Sequence, residues 1–320
     1  MISLPDFKEK QMLFIRAGDD IPTGIKLDNE NIVFTQDGKP INRLSCHKVF
    51  VVFILGDLTV TSRLLRDGNR YGISFFFLKN NFETYATLGA SAEGNYLLRM
   101  KQYDLKAAEE MIMARQIVSQ KIHNQFLLLK NRDKDSVSNI NLDEVLQRVQ
   151  KAYGEQELLG IEGEFSRKFF SSYFSEMKWV RRTPRAKIDV TNFLMDMGYT
   201  FLFNFVDSLL RLHGFDTYKG IYHKMFFQRR SLACDLMEPF RCIIDHQIVK
   251  SYNLGQIHEK DFSVQNGKVS LSFDKNYTYV KIFTEAIMAQ KENIFSYVHG
   301  FYRHMMRDTN PFPRFEIDLK

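Results

Sequence analysis

The sequence predicts an α+β protein in which an N-terminal β-sandwich-like domain, residues 1–95, precedes a larger α-helical domain, residues 96–320. Three observations support this division. The first hundred residues contain short segments that are rich in β-branched and aromatic residues and are separated by Gly, Asp and Asn. Near Asn95 the pattern changes to apolar residues at helical spacing. The chain has 320 residues, including 29 phenylalanines, which is enough for two domains with a large core.

Six segments of the N-terminal domain are predicted strands, and their spacing suggests a small sandwich or a pair of sheets. The Phe residues of one of them, GISFFFLK, have two interpretations. They offer an aromatic surface through which the domain forms a homodimer, or they fill the sandwich core. The six strands are MLFIRAG, NIVFTQDG, KVFVVFILG, LTVTSRLL, GISFFFLK and ETYATLG.

The remainder of the chain is predicted to be mainly helical. A long segment after Asn95 has helical spacing and no internal Gly or Pro, and a long buried helix has a start residue in Asp189 and a stop residue in Gly214. The other predicted elements are a helix LDEVLQRVQKAYG, a helix from Gly163 to Met177, a basic loop KWVRRTPRAK, a loop FDTYKGIYHKMFFQRR, a helix SLACDLMEPFRCIIDHQIVKSY, a hairpin FSVQNGKVSLSF whose Asn-Gly suits a type I′ turn, and helices at about 275–290 and 292–307.

Composition excludes several classes of protein. The three cysteines form no CxxC and are too few for a disulfide framework, which fits a reducing cytoplasm and predicts a cytoplasmic protein. The N-terminus lacks the apolar region of a signal peptide, and no run approaches the roughly 18 apolar residues that a membrane span needs, so no membrane association is expected. A net charge of +6 and a pI of about 9.0 permit a polyanionic partner without requiring one.

Two acidic residues on one apolar segment form the first candidate site. Asp235 and Glu238 in DLMEPF would share a face at i, i+3 of a helix, and burying two like charges there is costly unless a cation or hydrogen-bond donors compensate. Pro239 either removes a hydrogen bond within that helix or begins the helix with Glu238 as its cap. The simpler interpretation is that Arg230 and Arg241 pair with these acids.

Two further positions complete a mixed oxygen and nitrogen site. Glu162 lies between Gly160 and Gly163 at the predicted start of a helix, where an acid is also favoured by the helix dipole. His223 lies in a loop, where a histidine is usually a solvated side chain. Together with the acid pair they suit Mg²⁺ or Mn²⁺ better than Zn²⁺, and the chemistry indicated is phosphodiester displacement.

Four segments resemble the CRISPR-associated integrase of the adaptation module, the Cas1 family. These segments are GIEGEFSRKFF, NFLMDMGYTFL, IYHKMFFQRRSLACDLMEPFR and AEGNYLLRMKQY, and the resemblance covers essentially the whole chain in order. It implies an N-terminal β domain and an α-helical catalytic domain. It also implies a metal site formed by Glu162, His223 and Glu238, with Asp235 as a supporting acid and Tyr199 near the substrate strand. The family's usual Arg-Pro-Pro-x-Asp before the long helix reads RRTPRAKID here, so that loop has diverged.

The implied reaction is transesterification, in which the 3′-hydroxyl of a short donor DNA attacks a phosphodiester at the boundary of a CRISPR repeat. The implied partners are double-stranded DNA, as donor fragment and repeat, and a dimer of the small protein Cas2 that lies between two integrase homodimers. Two alternatives remain open at this stage. One is a stand-alone metal-dependent nuclease of the same family, and the other is a catalytically silent DNA-binding scaffold.

The basic loop is the candidate DNA-binding segment. It either grips the DNA backbone beside the active site or is an ordinary solvated loop. Its five cations are Lys178, Arg181, Arg182, Arg185 and Lys187.

Overall fold

The computed structural model describes residues 3–18, 22–92, 94–177, 179–307 and 309–319, and in the first two of these ranges the chain builds two four-stranded sheets. In the first sheet the order is β1-β5-β7-β8, with β1, β5 and β7 parallel and β8 antiparallel. The second has the order β4-β3-β2-β6, with β2 and β6 parallel. The elements here are α1 (Leu4–Lys8), β1 (Gln11–Arg16), β2 (Thr23–Asp28), β3 (Asn31–Gln36), β4 (Lys39–Ser45), β5 (Val49–Leu55), β6 (Thr59–Val60), α2 (Ser62–Arg70), β7 (Ser74–Leu78) and β8 (Thr84–Leu88).

The first sheet is covered on both faces, which explains why every residue of β5 is apolar and buried. One face packs on the second sheet through a core that includes Ile25, Ile32 and Val52. The other face packs on the helices that follow, where the Phe53 ring lies 4.7 Å from that of Phe201. The predicted sandwich-like arrangement followed by helices is therefore confirmed.

Helices dominate after residue 95. They surround one long central helix, α7 (Val190–His213), most of whose residues are buried. Asp189 caps the start of this helix by accepting a hydrogen bond from the Asn192 N–H, and Gly214 ends it with a φ of 93°. The elements are α3 (Tyr96–Tyr103), α4 (Ala107–Arg132), α5 (Leu142–Lys151), α6 (Glu155–Tyr173), α7 (Val190–His213), α8 (Ser231–Met237), α9 (Arg241–Asn253), β9 (Phe262–Gln265), β10 (Lys268–Leu271), α10 (Asn276–Ala289) and α11 (Lys291–Met306).

The predicted hairpin is confirmed as β9 and β10, because Asn266 and Gly267 both have the positive φ of a type I′ turn. Two other predictions were wrong in part. LTVTSRLL forms a strand only at β6, and its last four residues begin the helix α2, since the Thr61 hydroxyl accepts a hydrogen bond from the Leu64 N–H and starts a helix there. The segment after Asn95 divides into α3 and α4, because the Glu109 carboxylate accepts a hydrogen bond from the Lys106 N–H and begins the second helix.

For GISFFFLK, the interpretation that the rings fill the core holds for Phe75 and Phe76, whereas Phe77 is only partly buried. Phe75 and Phe76 are fully buried, and Leu78 is nearly so. Homodimer formation and the domain boundary at residues 95 and 96 stay predictions. Among the described residues, no helix is long and apolar enough to cross a membrane.

Candidate metal and DNA site

Glu162 lies in the middle of α6, which begins at Glu155, so the prediction that it starts a helix was wrong. The helix extends further toward the N-terminus because Glu155 and Glu157 occupy its first turn, where carboxylates are favoured. The flanking glycines do border open space. A Cβ added to Gly160 or Gly163 would meet no described atom within 4 Å.

His223 lies in the predicted loop between α7 and α8, and Asp235 holds that loop in place. The buried Asp235 carboxylate accepts hydrogen bonds from the backbone N–H groups of Ile221 at 2.6 Å, Tyr222 at 3.0 Å and His223 at 2.9 Å. Its Oδ1 also lies 2.5 Å from His223 Nδ1. Since a carboxylate only accepts, Nδ1 donates, and the neutral ring keeps its lone pair on Nε2, the arrangement found in histidines that bind metals.

Glu238 lies where two helices meet. A 3₁₀ turn, Glu238–Phe240, separates α8 from α9, so the prediction of one continuous helix was wrong. Pro239 lies within this turn, which differs from both interpretations made from the sequence. The turn is stabilised by the Asn124 side chain, whose amide donates to the Pro239 carbonyl at 3.2 Å. The two acids have different partners. Asp235 bonds the loop that carries His223, whereas Glu238 pairs with charged side chains.

The interpretation that Arg230 and Arg241 pair with Asp235 and Glu238 is correct only for Arg241. Arg241 lies 2.9 Å from Glu238, whereas Arg230 pairs with Asp207 at 2.9 Å. Burial opposes ionisation of Glu238, but Arg241 and Lys121 outweigh it and lower its pKa to about 2. Glu238 therefore stays ionised although only 3% of its side chain is exposed.

Lys121 of α4 connects the two predicted carboxylate ligands, and the sequence analysis missed it. Its ammonium lies 2.7 Å from Glu238 and also contacts Glu162. The Tyr222 hydroxyl donates to the second oxygen of Glu162. Lys121 could have been found in the sequence, because it lies four residues after the buried Ile117 on the apolar stripe of α4.

His223 follows Tyr222, whose hydroxyl bonds Glu162, and the two rings lie 5.1 Å apart. Burial disfavours its imidazolium form, but the hydrogen bond to Asp235 and the negative charges of Asp235 and Glu238 outweigh burial and raise its pKa. The structure thus brings Glu162 and Glu238 onto one cation, and His223 is the residue after the tyrosine that bonds Glu162.

The donor set suits Mg²⁺ or Mn²⁺, since it offers two carboxylates and one imidazole nitrogen. Within the described ranges, however, no group of three or more His, Cys, Asp or Glu is already arranged to hold an ion. The Lys121 ammonium lies where a divalent ion would contact both carboxylates. The residues therefore fit a metal, provided that the ammonium moves, and the ligand roles of Glu162, His223 and Glu238 stay predictions.

A cavity of about 250 Å³ adjoins Glu162, and Tyr199 is part of its wall. The Tyr199 hydroxyl donates to Asp245 at 2.5 Å, and the Arg241 guanidinium lies 4.8 Å from the centre of its ring. Burial raises the pKa of Asp245 to about 7, although the hydrogen bond from Tyr199 acts against this. Tyr199 is therefore close to the candidate site, and contact with DNA stays a prediction.

The basic loop is only partly available to a ligand. Arg181 and Arg185 are exposed, whereas Arg182 bonds Asn192 at 3.0 Å and Asp196 at 2.6 Å. Lys187 is half-buried, and its ammonium bonds the Asn81 carbonyl. Lys178 lies outside the described residues. Neither interpretation of this loop fits Arg182, because its guanidinium bonds two side chains of α7 and holds the start of that helix in place.

We expect the variant Arg181→Ala/Arg185→Ala to bind duplex DNA with a weaker salt dependence. Each lost phosphate contact lowers the slope of log affinity against log salt by about 0.9, so two contacts give a change of about 1.8. A salt titration on one duplex measures this, with Lys26→Ala/Lys39→Ala, two exposed cations of the second sheet, as the matched control. An unchanged slope would make the segment an ordinary solvated loop.

Asp235→Asn should weaken Mn²⁺ binding by about 10- to 100-fold, because a residue that orients a ligand acts through that ligand. The amide keeps one acceptor oxygen but turns its NH₂ group toward the backbone donors of the loop, so His223 loses its fixed position. Glu238→Gln should have the larger effect. Calorimetric titration with Mn²⁺ compares the two variants, and equal, complete loss of binding in both would make Asp235 a direct ligand.

Known proteins are similar to this chain in sequence and in fold. Residues 21–285 match the family model described as CRISPR associated protein Cas1. The chain is 28% identical over 307 residues to a CRISPR-associated endonuclease Cas1 of Thermodesulfovibrio yellowstonii, covering 89% of this chain and 95% of that protein. The structure of a Cas1 protein from Thermotoga maritima is 22% identical with a TM-score of 0.81, covering 92% of this chain and 97% of the other.

A further solved structure has the same fold within a larger protein. It is a chain of a Cas6-RT-Cas1–Cas2 complex, which is 25% identical with a TM-score of 0.78 and is matched over 97% of this chain and 36% of that longer chain. The similarity extends across both the sheets and the helices.

Proposed function

Because this chain belongs to the CRISPR-associated Cas1 family, we propose that it is a metal-dependent DNA integrase and endonuclease of CRISPR adaptation. The 3′-hydroxyl of a short donor DNA attacks a phosphodiester at the boundary of a repeat. The donor 3′-oxygen forms a new bond to phosphorus, the bond from that phosphorus to the 3′-oxygen of the repeat strand breaks, and that oxygen leaves as a hydroxyl. One observation carries the proposal. Glu162 of α6 and Glu238 of the 3₁₀ turn contact a single cation, and His223 follows the tyrosine, Tyr222, whose hydroxyl bonds Glu162. An active site for phosphoryl transfer needs such a place for positive charge.

Glu162, Glu238 and His223 are the residues that would hold the ion. Bound Mg²⁺ or Mn²⁺ would neutralise the charge that develops on the phosphate and orient the attacking hydroxyl. The other residues act on these three side chains. Asp235 fixes the His223 ring, Tyr222 donates to Glu162, and Arg241 keeps Glu238 ionised.

The proposed partners are double-stranded DNA, a second copy of this chain, and a Cas2 dimer between two such homodimers. The family supports the assembly, because a chain of similar fold occurs in a Cas6-RT-Cas1–Cas2 complex. The open space beside Gly160 and Gly163 supports access of a DNA strand to the helix that carries Glu162.

The test is a strand-transfer assay with labelled donor DNA and a plasmid that contains a repeat, in Mn²⁺ or Mg²⁺, with and without Cas2. Joined donor and plasmid strands are expected, and a donor that lacks the 3′-hydroxyl is the control. Nicks without joining, even with Cas2 present, would instead indicate a stand-alone nuclease. Binding with neither nicking nor joining would indicate a scaffold.

A further inference from the structure

The segment that follows α11 lies along α4 in an extended form. Residues 311–319 form neither helix nor strand, yet alternate side chains are buried. Phe315 is 6% exposed and Ile317 is 7% exposed, whereas the residues between and beside them are exposed. This alternation is typical of a strand that covers a core with one of its faces. The mechanism proposed above uses none of these residues.

Two amide side chains of α4 take the place of a neighbouring strand. Gln120 and Asn124 lie four residues apart and therefore share one face of the helix. The Gln120 amide donates to the Pro313 carbonyl at 2.9 Å and accepts from the Phe315 N–H at 2.9 Å. The Asn124 amide donates to the Phe315 carbonyl at 3.1 Å and accepts from the Ile317 N–H at 2.9 Å. These four bonds fix the segment in one register on α4.

The same segment contacts the 3₁₀ turn that carries Glu238. Asn124 bonds both of them, because its amide group also donates to the Pro239 carbonyl. The Phe315 ring packs edge to face on Phe240, the last residue of the turn, with the ring centres 4.7 Å apart. The turn is therefore held against the segment by an amide bridge and by a ring contact.

The ion pair of the candidate site lies between these contacts. Lys121 follows Gln120 in α4, and its ammonium lies 2.7 Å from Glu238, the residue before Pro239. The segment thus bonds or packs on neighbours of both partners of the pair. Since a functional group has to be held within about 0.5 Å of its productive position, the seating of this segment affects where the Glu238 carboxylate lies.

We propose that Phe315 and Asn124 are positioning residues for the candidate metal site, and that the segment 309–319 sets the separation of Lys121 and Glu238. The inference rests on the proposed function in that the site binds a divalent ion. It adds that the affinity for this ion depends on a segment that itself supplies no ligand.

Two variants loosen the segment in different ways. Phe315→Leu removes the ring contact with Phe240, and Gln120→Ala removes two of the hydrogen bonds to α4. Each should bind Mn²⁺ about tenfold more weakly in a calorimetric titration, since residues that orient a metal ligand change metal affinity by about 10- to 100-fold. Phe295→Leu is the matched control, because it truncates a 2% exposed ring that packs on Phe7.

A second measurement needs no metal. In protein labelled with ¹⁵N-lysine and kept in EDTA, the buried Lys121 ammonium is followed by NMR and assigned by its loss in Lys121→Arg. Its signal should shift or broaden in Phe315→Leu and in Gln120→Ala and stay unchanged in Phe295→Leu. A role in general stability alone would lower the melting temperature of the variants without this selective change at the ion pair.

The double variant Phe315→Leu/Gln120→Ala tests whether both residues act through the same segment. Its loss of Mn²⁺ affinity should be smaller than the two single losses multiplied together, because the second change loosens a segment that is already displaced. Unchanged Mn²⁺ affinity in both single variants, an equal loss in Phe295→Leu, or fully independent losses in the double variant would each overturn the proposal. So would an altered ammonium signal without any change in Mn²⁺ affinity.

Failure of this inference is distinguishable from failure of the proposed function. A wild-type protein that binds Mn²⁺ and joins no DNA, with variants that bind the ion weakly, would retain the positioning role and lose the integrase role. A wild-type protein that joins DNA, with variants that bind the ion normally, would overturn only the positioning role. A wild-type protein that binds no Mn²⁺ would overturn both.

Discussion

Glu162→Gln should lower strand transfer by at least about a hundredfold while the protein stays folded. The substitution keeps the shape of the side chain but removes the negative charge that a divalent ion requires. An electrostatic catalyst that loses one of its few charged ligands loses several kcal/mol of transition-state stabilisation, and about 1.4 kcal/mol corresponds to each factor of ten. The amide oxygen of Gln can still accept a hydrogen bond from Lys121 or Tyr222, and Lys121 keeps its pair with Glu238, so we expect the protein to stay folded.

His223→Ala and Glu238→Gln should have the same effect on strand transfer. Rates in Mn²⁺ and melting temperatures in EDTA should be measured for all three variants. Glu164→Gln is the control, because Glu164 is a surface carboxylate on the same helix that pairs with Lys168 at 2.9 Å. A folded variant with near wild-type rate would remove that residue from the site.

Lys121→Met should destabilise the metal-free protein by about 3–5 kcal/mol, the usual cost of removing one partner from a buried ion pair. Two carboxylates, Glu162 and Glu238, would then face each other without the ammonium that now connects them. Saturating Mn²⁺ should restore much of the lost stability, because the ion would compensate the same charges.

Scanning calorimetry in EDTA and in Mn²⁺ measures the stability that Lys121→Met loses and the part of it that the ion restores. Lys168→Met is the matched control, since its ion pair with Glu164 is exposed and worth at most about 1 kcal/mol. Adding Glu162→Gln to Lys121→Met should recover stability in EDTA by removing one of the opposed charges. A Lys121→Met protein that is equally stable with and without Mn²⁺ would show that the ammonium does not lie in the position of an ion.

The sequence predicted elements whose ends carry strong local information. Asp189 and Gly214 bound α7 as expected, and Asn266-Gly267 forms the hairpin turn, since caps and tight turns are decided by neighbouring residues. It failed at Glu162, where two glycines suggested a helix start. Those glycines lie inside a helix, where no described neighbour packs against them. The absence of neighbours is a property of the tertiary structure and cannot be read from the local sequence.

The candidate site was predictable in its acids and imidazole but not in its cation. Glu162, His223 and Glu238 belong to recognisable motifs, whereas Lys121 belongs to a long helix far away in the chain. Arg182 shows the opposite error. A run of basic residues suggested a uniform surface loop, but Asn192 and Asp196 on α7 accept hydrogen bonds from this one guanidinium. Tertiary partners of this kind are not encoded in local spacing.

The packing of the first sheet on α7 has a consequence for the order in which the chain leaves the ribosome. Phe50 and Phe53 of β5 pack against Phe205 and Phe201 of α7, which are synthesised much later. Until the chain has passed Val190, one face of this sheet has no cover, although its strands can already pair. The nascent protein therefore carries an exposed aromatic face through much of its synthesis, and this is the surface that chaperones would have to shield.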